Sequence, residues 1–186
     1  MSGHLYYLMG ASGSGKDSLL QGCRHRLEHS HKAFIAHRYI TRAADAGGEN
    51  HIHLTESEFE LRRDTGMFCM HWASHGHLYG IGKEVEVWVN HGLNVIMNGS
   101  REYLPKALNN FSAITPIMIT IDSDQLRHRL ENRGRESAKE IDKRLQRHAE
   151  LLHQMPDSTL FIDNSGALEQ GIETLMDIIT HGRTTA

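Results

Sequence analysis

A chain of 186 residues, 39% hydrophobic and with a net charge of −3, has the size of one α/β domain with a sizeable core and room for inserted subregions. The mild acidity argues against a nucleic-acid-binding protein, and Cys23 and Cys69 make no spaced pair, which excludes a disulfide framework or a cysteine zinc site. There is no leader-like start and no apolar run of membrane-spanning length, so the expectation is a cytoplasmic protein without a membrane partner.

The apolar run His4 to Met9 reads as a short buried strand, and a helix-like segment extends to about Glu28. Between them lies Gly10-Ala11-Ser12-Gly13-Ser14-Gly15-Lys16-Asp17-Ser18. Strand, glycine loop, lysine and helix together are the context of a phosphate-binding loop. Glycines let successive N–H groups turn inward as an anion nest, and the helix start adds its partial positive charge. Lys16 supplies a mobile cation for the β- and γ-phosphates of a nucleotide such as ATP. Asp17 stands where a metal-binding Ser or Thr is usual, and Ser18 follows one place later. A carboxylate beside a triphosphate is repelled unless a metal lies between them. Asp17 and Ser18 are therefore the candidate Mg²⁺ ligands, the alternative for Asp17 being a favourable charge at a helix N-terminus.

Ala33 to Ala36 reads as a second core strand running into His37-Arg38-Tyr39-Ile40-Thr41-Arg42, where an even spacing puts Arg38 and Arg42 on one face of an extended segment. A turn-rich piece, Ala43 to Asn50, and a half-exposed strand, His51 to Leu54, follow. Thr55 and Glu58 form a capping box for a helix to about Asp64 that Gly66 ends. Met67–Trp72 and His75–Ile81 read as a hairpin, Lys83–His91 as an amphipathic helix closed by Gly92, and Leu93–Met97 as a core strand. Ser100 is expected to cap a helix to about Asn109, and Thr115–Ile121 is a buried strand. Asp122 or Ser123 caps a charged helix through Glu131, the basic piece Arg127–Arg135 overlaps and follows it, and a second charged helix spans Ser137 to Gln154. Thr159–Ile162 is the last strand and Ala167–Ile179 the closing helix.

Repeated strand–helix units imply an α/β fold, a parallel sheet flanked by helices, with ligands at the carboxyl ends of its strands. A hairpin-rich insert at about 38–82 and an arginine-rich helical segment at about 124–150 interrupt a core of 1–37, 83–123 and 151–186. The pairs His51-x-His53 and His75-x-His77 lack a third ligand at metal-site spacing and read as polar surface.

This layout resembles the nucleoside-monophosphate kinases and, over nearly the whole chain, the guanylate kinases. Gly10 to Lys16 matches the family's Gly-Pro-Ser-Gly-x-Gly-Lys loop, Ile40-Thr41-Arg42 its acceptor-binding Thr-Thr-Arg, and Tyr79-Gly80 its Tyr-Gly. Arg133-Gly134-Arg135-Glu136 with Arg144-Leu145 matches its lid, and Asn164 its asparagine near the adenine. The departures fall in the acceptor half. Ala44 to Glu49 lacks the family's second arginine, His51 replaces a tyrosine, and Met70 stands where a glutamate holds guanine. Met97-Asn98-Gly99-Ser100-Arg101 replaces an acidic strand end. A thioether cannot accept guanine's N–H groups, so the pattern points to an anionic acceptor without a guanine.

The chain closely resembles the ribose 1,5-bisphosphate phosphokinase family of bacterial phosphonate degradation in Ala36–Arg42, Glu49–Ile52, Asn98–Arg101 and Leu130–Glu136. The resemblance implies a small phosphorylated sugar as acceptor and ATP with Mg²⁺ as donor. It implies that Gly10 to Ser18 hold the donor, with Asn164 beside its base. Arg38, Arg42, Tyr79 and Arg101 would bind the acceptor, and Lys16, Arg133 and Arg144 the transferring group, with Arg135 assisting. Arg127 and Arg147 read as solvated surface, and Trp72 and Trp88 as packing. A homodimer stays open, as do two other readings. These are a guanylate kinase with altered base contacts and a catalytically inactive binding module, against which the intact Gly10, Gly13, Gly15 and Lys16 argue.

Overall fold

The opening apolar run forms β1 (Leu5–Gly10) in the computed structural model, which describes residues 3–28, 33–45, 49–111, 113–134 and 136–181. Leu5, Tyr7 and Met9 enter one core with Val95, Met97 and Met118, while Tyr6 and Leu8 enter another with Leu19, Cys23, Ile117 and Leu175. Burial on both faces is why this strand reads as a continuous apolar run with no alternation. Next come α1 (Lys16–Leu27), β2 (Ala33–Ile35), β3 (Tyr39–Ile40), β4 (Ile52–His53) and α2 (Glu56–Asp64). The Thr55–Glu58 capping box forms as its spacing dictates.

β5 (Phe68–Ser74) and β6 (His77–Gly82) make the hairpin, turned at His75 and Gly76 with φ of 49° and 76°. Positive φ at both positions matches the twist of a two-residue hairpin turn. Then follow α3 (Glu84–Asn90), β7 (Asn94–Asn98), α4 (Leu104–Asn110), β8 (Ile114–Thr120), α5 (Ser123–Arg133), α6 (Ala138–His153), β9 (Leu160–Asp163) and α7 (Leu168–His181).

Two sheets result. The larger is parallel, in the order β2-β7-β1-β8-β9, and the smaller runs β4-β3-β6-β5. Leu8 pairs in register with Asn98 and Gly10 with Ile119, so the carboxyl ends of β7, β1 and β8 open together on one edge. That edge is where an open parallel sheet binds ligands.

Two local expectations change. Ser100 does not cap α4, which begins at Leu104 with Pro105 in its first turn. The Tyr7 hydroxyl instead captures the Ser100 backbone, donating to its carbonyl (2.8 Å) and accepting from its N–H (2.9 Å). A turn through Arg101 and Glu102 therefore precedes the helix. In addition, α5 continues to Arg133, two residues past its expected end, so Arg127, Arg129 and Arg133 are all helical. Asp122 is its cap, accepting from the Asp124 and Gln125 amides.

Candidate active site

The glycine loop leaves β1 at Gly10 and enters α1 at Lys16. Gly15 has φ of 86°, and a side chain there would run into the Asn164 amide nitrogen. Both conditions require glycine. The loop's carbonyls are held from outside. Asn164 Nδ2 donates to Ser14 O (2.7 Å) and Arg129 donates to Gly13 O (3.3 Å). The Ser14 and Gly13 carbonyls are thereby held by side chains of other elements.

A cleft of about 350 Å³ runs from this loop to the smaller sheet. Lys16, Asp17, Ser18, Arg38, Arg42, Tyr79, Arg101 and Arg133 all line it, bringing together eight residues from four parts of the chain. Lys16 is 15% exposed and 3.4 Å from Asp17 Oδ1. Burial lowers its pKa, Asp17 opposes that shift, and the charges of Arg38 and Arg101 add to it. Arg101 is itself lowered by burial and then by Arg147, with Arg144 contributing further. Cations that depress one another in one cleft favour the binding of an anion there.

Arg38 meets Glu49 in a two-pronged ion pair, its Nε donating to Oε1 at 2.7 Å. The guanidinium lies 4.9 Å from the Tyr79 ring centroid, and Tyr79 stacks on Trp72 at 5.6 Å and 4°. Burial lowers the Arg38 pKa to about 10, which leaves it charged at neutral pH. Asn98 Nδ2 donates to Glu49 Oε2 at 3.1 Å and fixes the carboxylate from the other side. The Arg42 backbone is braced by the two histidines of the first pair. His51 Nε2 and His53 Nδ1 lie 3.0 and 2.9 Å from its carbonyl, while its Nε is buried without a partner among the described residues.

Other expected residues sit elsewhere. Arg144 pairs with Glu136 at 2.5 Å over a smaller cavity of about 200 Å³ that Arg133 and Ser12 also line. Asn164 is buried behind the loop, bonded to Ser14 O, so its contact in this structure is with the loop backbone. Arg127 and Arg147 pair with Asp142 and Glu102 at the surface. Arg135 and residues 46–48 lie outside the described residues.

Four contributors carry little sequence signal. Glu49 follows a glycine pair and reads as turn, and Trp72 reads as packing. Arg129 is one of several arginines on a charged helix. His148 falls in the Ile141–Leu145–His148–Leu152 stripe of α6, and that 4-3-4 spacing is the signal that it is buried.

The donor set suits a magnesium nucleotide. Asp17 and Ser18 are oxygen ligands open to the cleft, as a hard cation requires. Among the described residues no group of three or more His, Cys, Asp or Glu is placed to hold a metal ion.

A parallel sheet with this loop on its central strand, a small second sheet and paired helices beyond is the architecture of a P-loop phosphotransferase. The guanylate kinase family model matches residues 2–182. Guanylate kinase from Anaplasma phagocytophilum superposes with a TM-score of 0.70 over 100% of this chain and 88% of its own, at 18% identity. Two ribose 1,5-bisphosphate phosphokinases PhnN are far nearer in sequence. That of Desulfomicrobium baculatum is 47% identical over 94% of this chain and 93% of its own. That of Thiobacillus denitrificans is 44% identical over 96% and 93%. The chain belongs to the guanylate kinase family and, within it, to the group of the ribose 1,5-bisphosphate phosphokinases. Among the described residues no helix is long and apolar enough to cross a membrane.

Proposed function

We propose that this chain transfers the γ-phosphoryl group of ATP to ribose 1,5-bisphosphate, giving ADP and 5-phospho-α-D-ribose 1-diphosphate, in the cytoplasm. The observation that carries the choice of acceptor is Met70. It is fully buried in the core beside Tyr7, Ile81 and Met97, in the place where a guanine-binding carboxylate belongs by resemblance. A thioether at that place accepts none of guanine's N–H groups, and each group left unpaired costs about 1–3 kcal/mol. A base-free acceptor with more phosphate suits four arginines and one lysine around a single cleft, and the names of the relatives support it.

In this reading an oxygen of the 1-phosphate attacks the γ-phosphorus in line. The bond from that phosphorus to the bridging oxygen of ADP breaks, and the ADP oxygen takes the electron pair. The attacking oxygen is already ionised, so no general base is needed and the residues act by position and charge. Gly10 to Gly15 bind the donor phosphates through backbone amides, and Lys16 neutralises the γ-phosphate. Arg42 and Arg101 hold the reacting phosphate of the acceptor, and Arg38, fixed by Glu49 on the Tyr79 face, aligns it. Arg133 covers the transferring group from α5, and Arg144 joins it when the segment 124–150 closes as a lid. The acceptor insert is 38–82, with the core formed by the remaining segments. Asp17 and Ser18 hold Mg²⁺, whose chemistry when bound is to neutralise phosphate oxygens.

A panel of acceptors with Mg·ATP tests the proposal. Ribose 1,5-bisphosphate should be turned over and GMP should not. Rapid turnover of GMP alone would overturn it.

A further inference from the structure

A second cavity of about 430 Å³ adjoins the cleft and shares Asp17, Glu49 and Asn98 with it. Its walls are α1, at Leu20, Gln21 and Arg24, and the end of β2, at Ile35 and Ala36. The two spaces form one bilobed site with Glu49 and Asn98 at the waist.

Arg24 stands in the side lobe as a half-buried cation without a carboxylate partner among the described residues. Its polar neighbour is His37, whose Nε2 lies 3.2 Å from the guanidinium. A guanidinium only donates, so this imidazole nitrogen must be the unprotonated acceptor. His37 therefore orients Arg24 without neutralising it. The last turn of α1 favours a cation, but a solvated arginine would meet that need. Holding it over a cavity leaves a charge that calls for an anion.

The waist has the opposite character. Glu49 offers carboxylate oxygens, and Asn98 Oδ1 is buried with no partner among the described residues. These are acceptors, suited to hydroxyl donors and not to phosphate. Along the bilobed site the order is thus cations, hydroxyl acceptors, cation. We infer that Arg24 marks a second phosphate subsite, which takes the non-reacting phosphate of a doubly phosphorylated sugar whose hydroxyls cross the waist at Glu49 and Asn98. This rests on the function proposed above and adds where the rest of that acceptor lies.

The test compares wild type, Arg24→Gln and Arg24→Lys with ribose 1,5-bisphosphate and with ribose 1-phosphate, which lacks the second phosphate, at saturating Mg·ATP. Loss of one charge-assisted contact should lower kcat/KM for the bisphosphate by about 10–100-fold, chiefly through KM, with partial recovery in Arg24→Lys. Turnover of ribose 1-phosphate should be weak in wild type and unchanged in Arg24→Gln. Ribose 5-phosphate, carrying only the distal phosphate, supplies a second readout. It should compete with the bisphosphate in wild type and lose that competition in Arg24→Gln. Wild-type turnover of the bisphosphate with an unaltered KM in Arg24→Gln overturns the subsite alone. Equal losses on both acceptors also overturn it. No wild-type turnover of the bisphosphate overturns the parent function, and the subsite with it.

Discussion

Arg101 NH1 lies 3.2 Å from His148 Nδ1, which ties the turn after β7 to the middle of α6. The guanidinium can only donate, so Nδ1 must be without a proton, and Nε2 carries it in a buried position lacking a partner among the described residues. A second proton on this ring would face the Arg101 charge directly. Burial first, and Arg101 second, hold the His148 pKa below its usual 6.5.

The sign of the pH dependence follows. Above pH 6.5 His148 is neutral in both folded and unfolded chains. As pH falls below 6.5 the unfolded chain takes up the proton first, so stability is lost as pH falls toward and through the lower folded value. His4, His37 and His71 are lowered by burial in the same direction. The melting temperature should therefore decline between pH 7 and 5. His148→Asn, which keeps an acceptor near Arg101 but cannot titrate, should flatten part of that decline. An identical slope in the variant would show that His148 contributes nothing to it.

Arg38 and Glu49 make a different kind of pair, 11% exposed on each side and open to the cleft. Removing one member strands the other, which for a buried pair costs about 3–5 kcal/mol. Glu49→Gln should lose about 2–3 kcal/mol in urea unfolding, the lower end following from the open cleft. Inorganic phosphate should restore more stability to the variant than to wild type, because an anion can replace the missing carboxylate beside Arg38. Equal stabilisation of both proteins would mean that phosphate does not reach Arg38.

The glycine loop and its place between strand and helix were legible because the signal is local. A glycine loop between a buried strand and a helix needs only adjacent residues, and Gly10 to Lys16 show it. Thr55–Glu58 was legible for the same reason. The opposite side of the cleft was less so, because its contacts join distant segments. Arg38 meets Glu49 across a turn, Glu49 meets Asn98 across 49 positions, and Arg101 meets His148 across 47. Ser100 shows the limit of a local rule, since a serine before a helix-like run is an ordinary cap until Tyr7 takes its backbone from 93 positions away.

Gly15 offers a sharp test of the loop. At φ of 86° an added methyl group is strained by the backbone alone, and it also meets Asn164, which holds Ser14 O. Gly15→Ala should cost about 1–3 kcal/mol of stability, the range for a non-glycine residue forced into this region. Because the displaced Asn164 releases the loop carbonyl, ATP affinity should fall as well, by about tenfold, equivalent to ~1.4 kcal/mol. Isothermal titration with ATP and a thermal melt measure the two effects. A destabilised variant with unchanged ATP affinity would show that the Asn164 bond does not shape the phosphate site.

Asp17 separates two roles that its position allows. It lies 3.4 Å from Lys16 and half its side chain is open to the cleft. If its work is to neutralise Lys16, removing it should alter nucleotide binding whether or not a metal is present. If it directs Mg²⁺, its carboxylate is a liability without the ion, since it faces phosphate oxygens of the same charge. Asp17→Ala should then bind metal-free ATP at least as tightly as wild type. The Mg²⁺ concentration for half-maximal rate should rise about tenfold, equivalent to ~1.4 kcal/mol of lost ion binding. Ser18→Ala should give a smaller shift in the same direction, because a neutral hydroxyl holds a hard cation less strongly than a carboxylate. The measurement is the initial rate against free Mg²⁺ at fixed ATP, with ATP binding in a chelator as its partner. An unchanged Mg²⁺ titration in Asp17→Ala would leave the carboxylate as the counter-ion of Lys16 and move the metal to Ser18 and the phosphates.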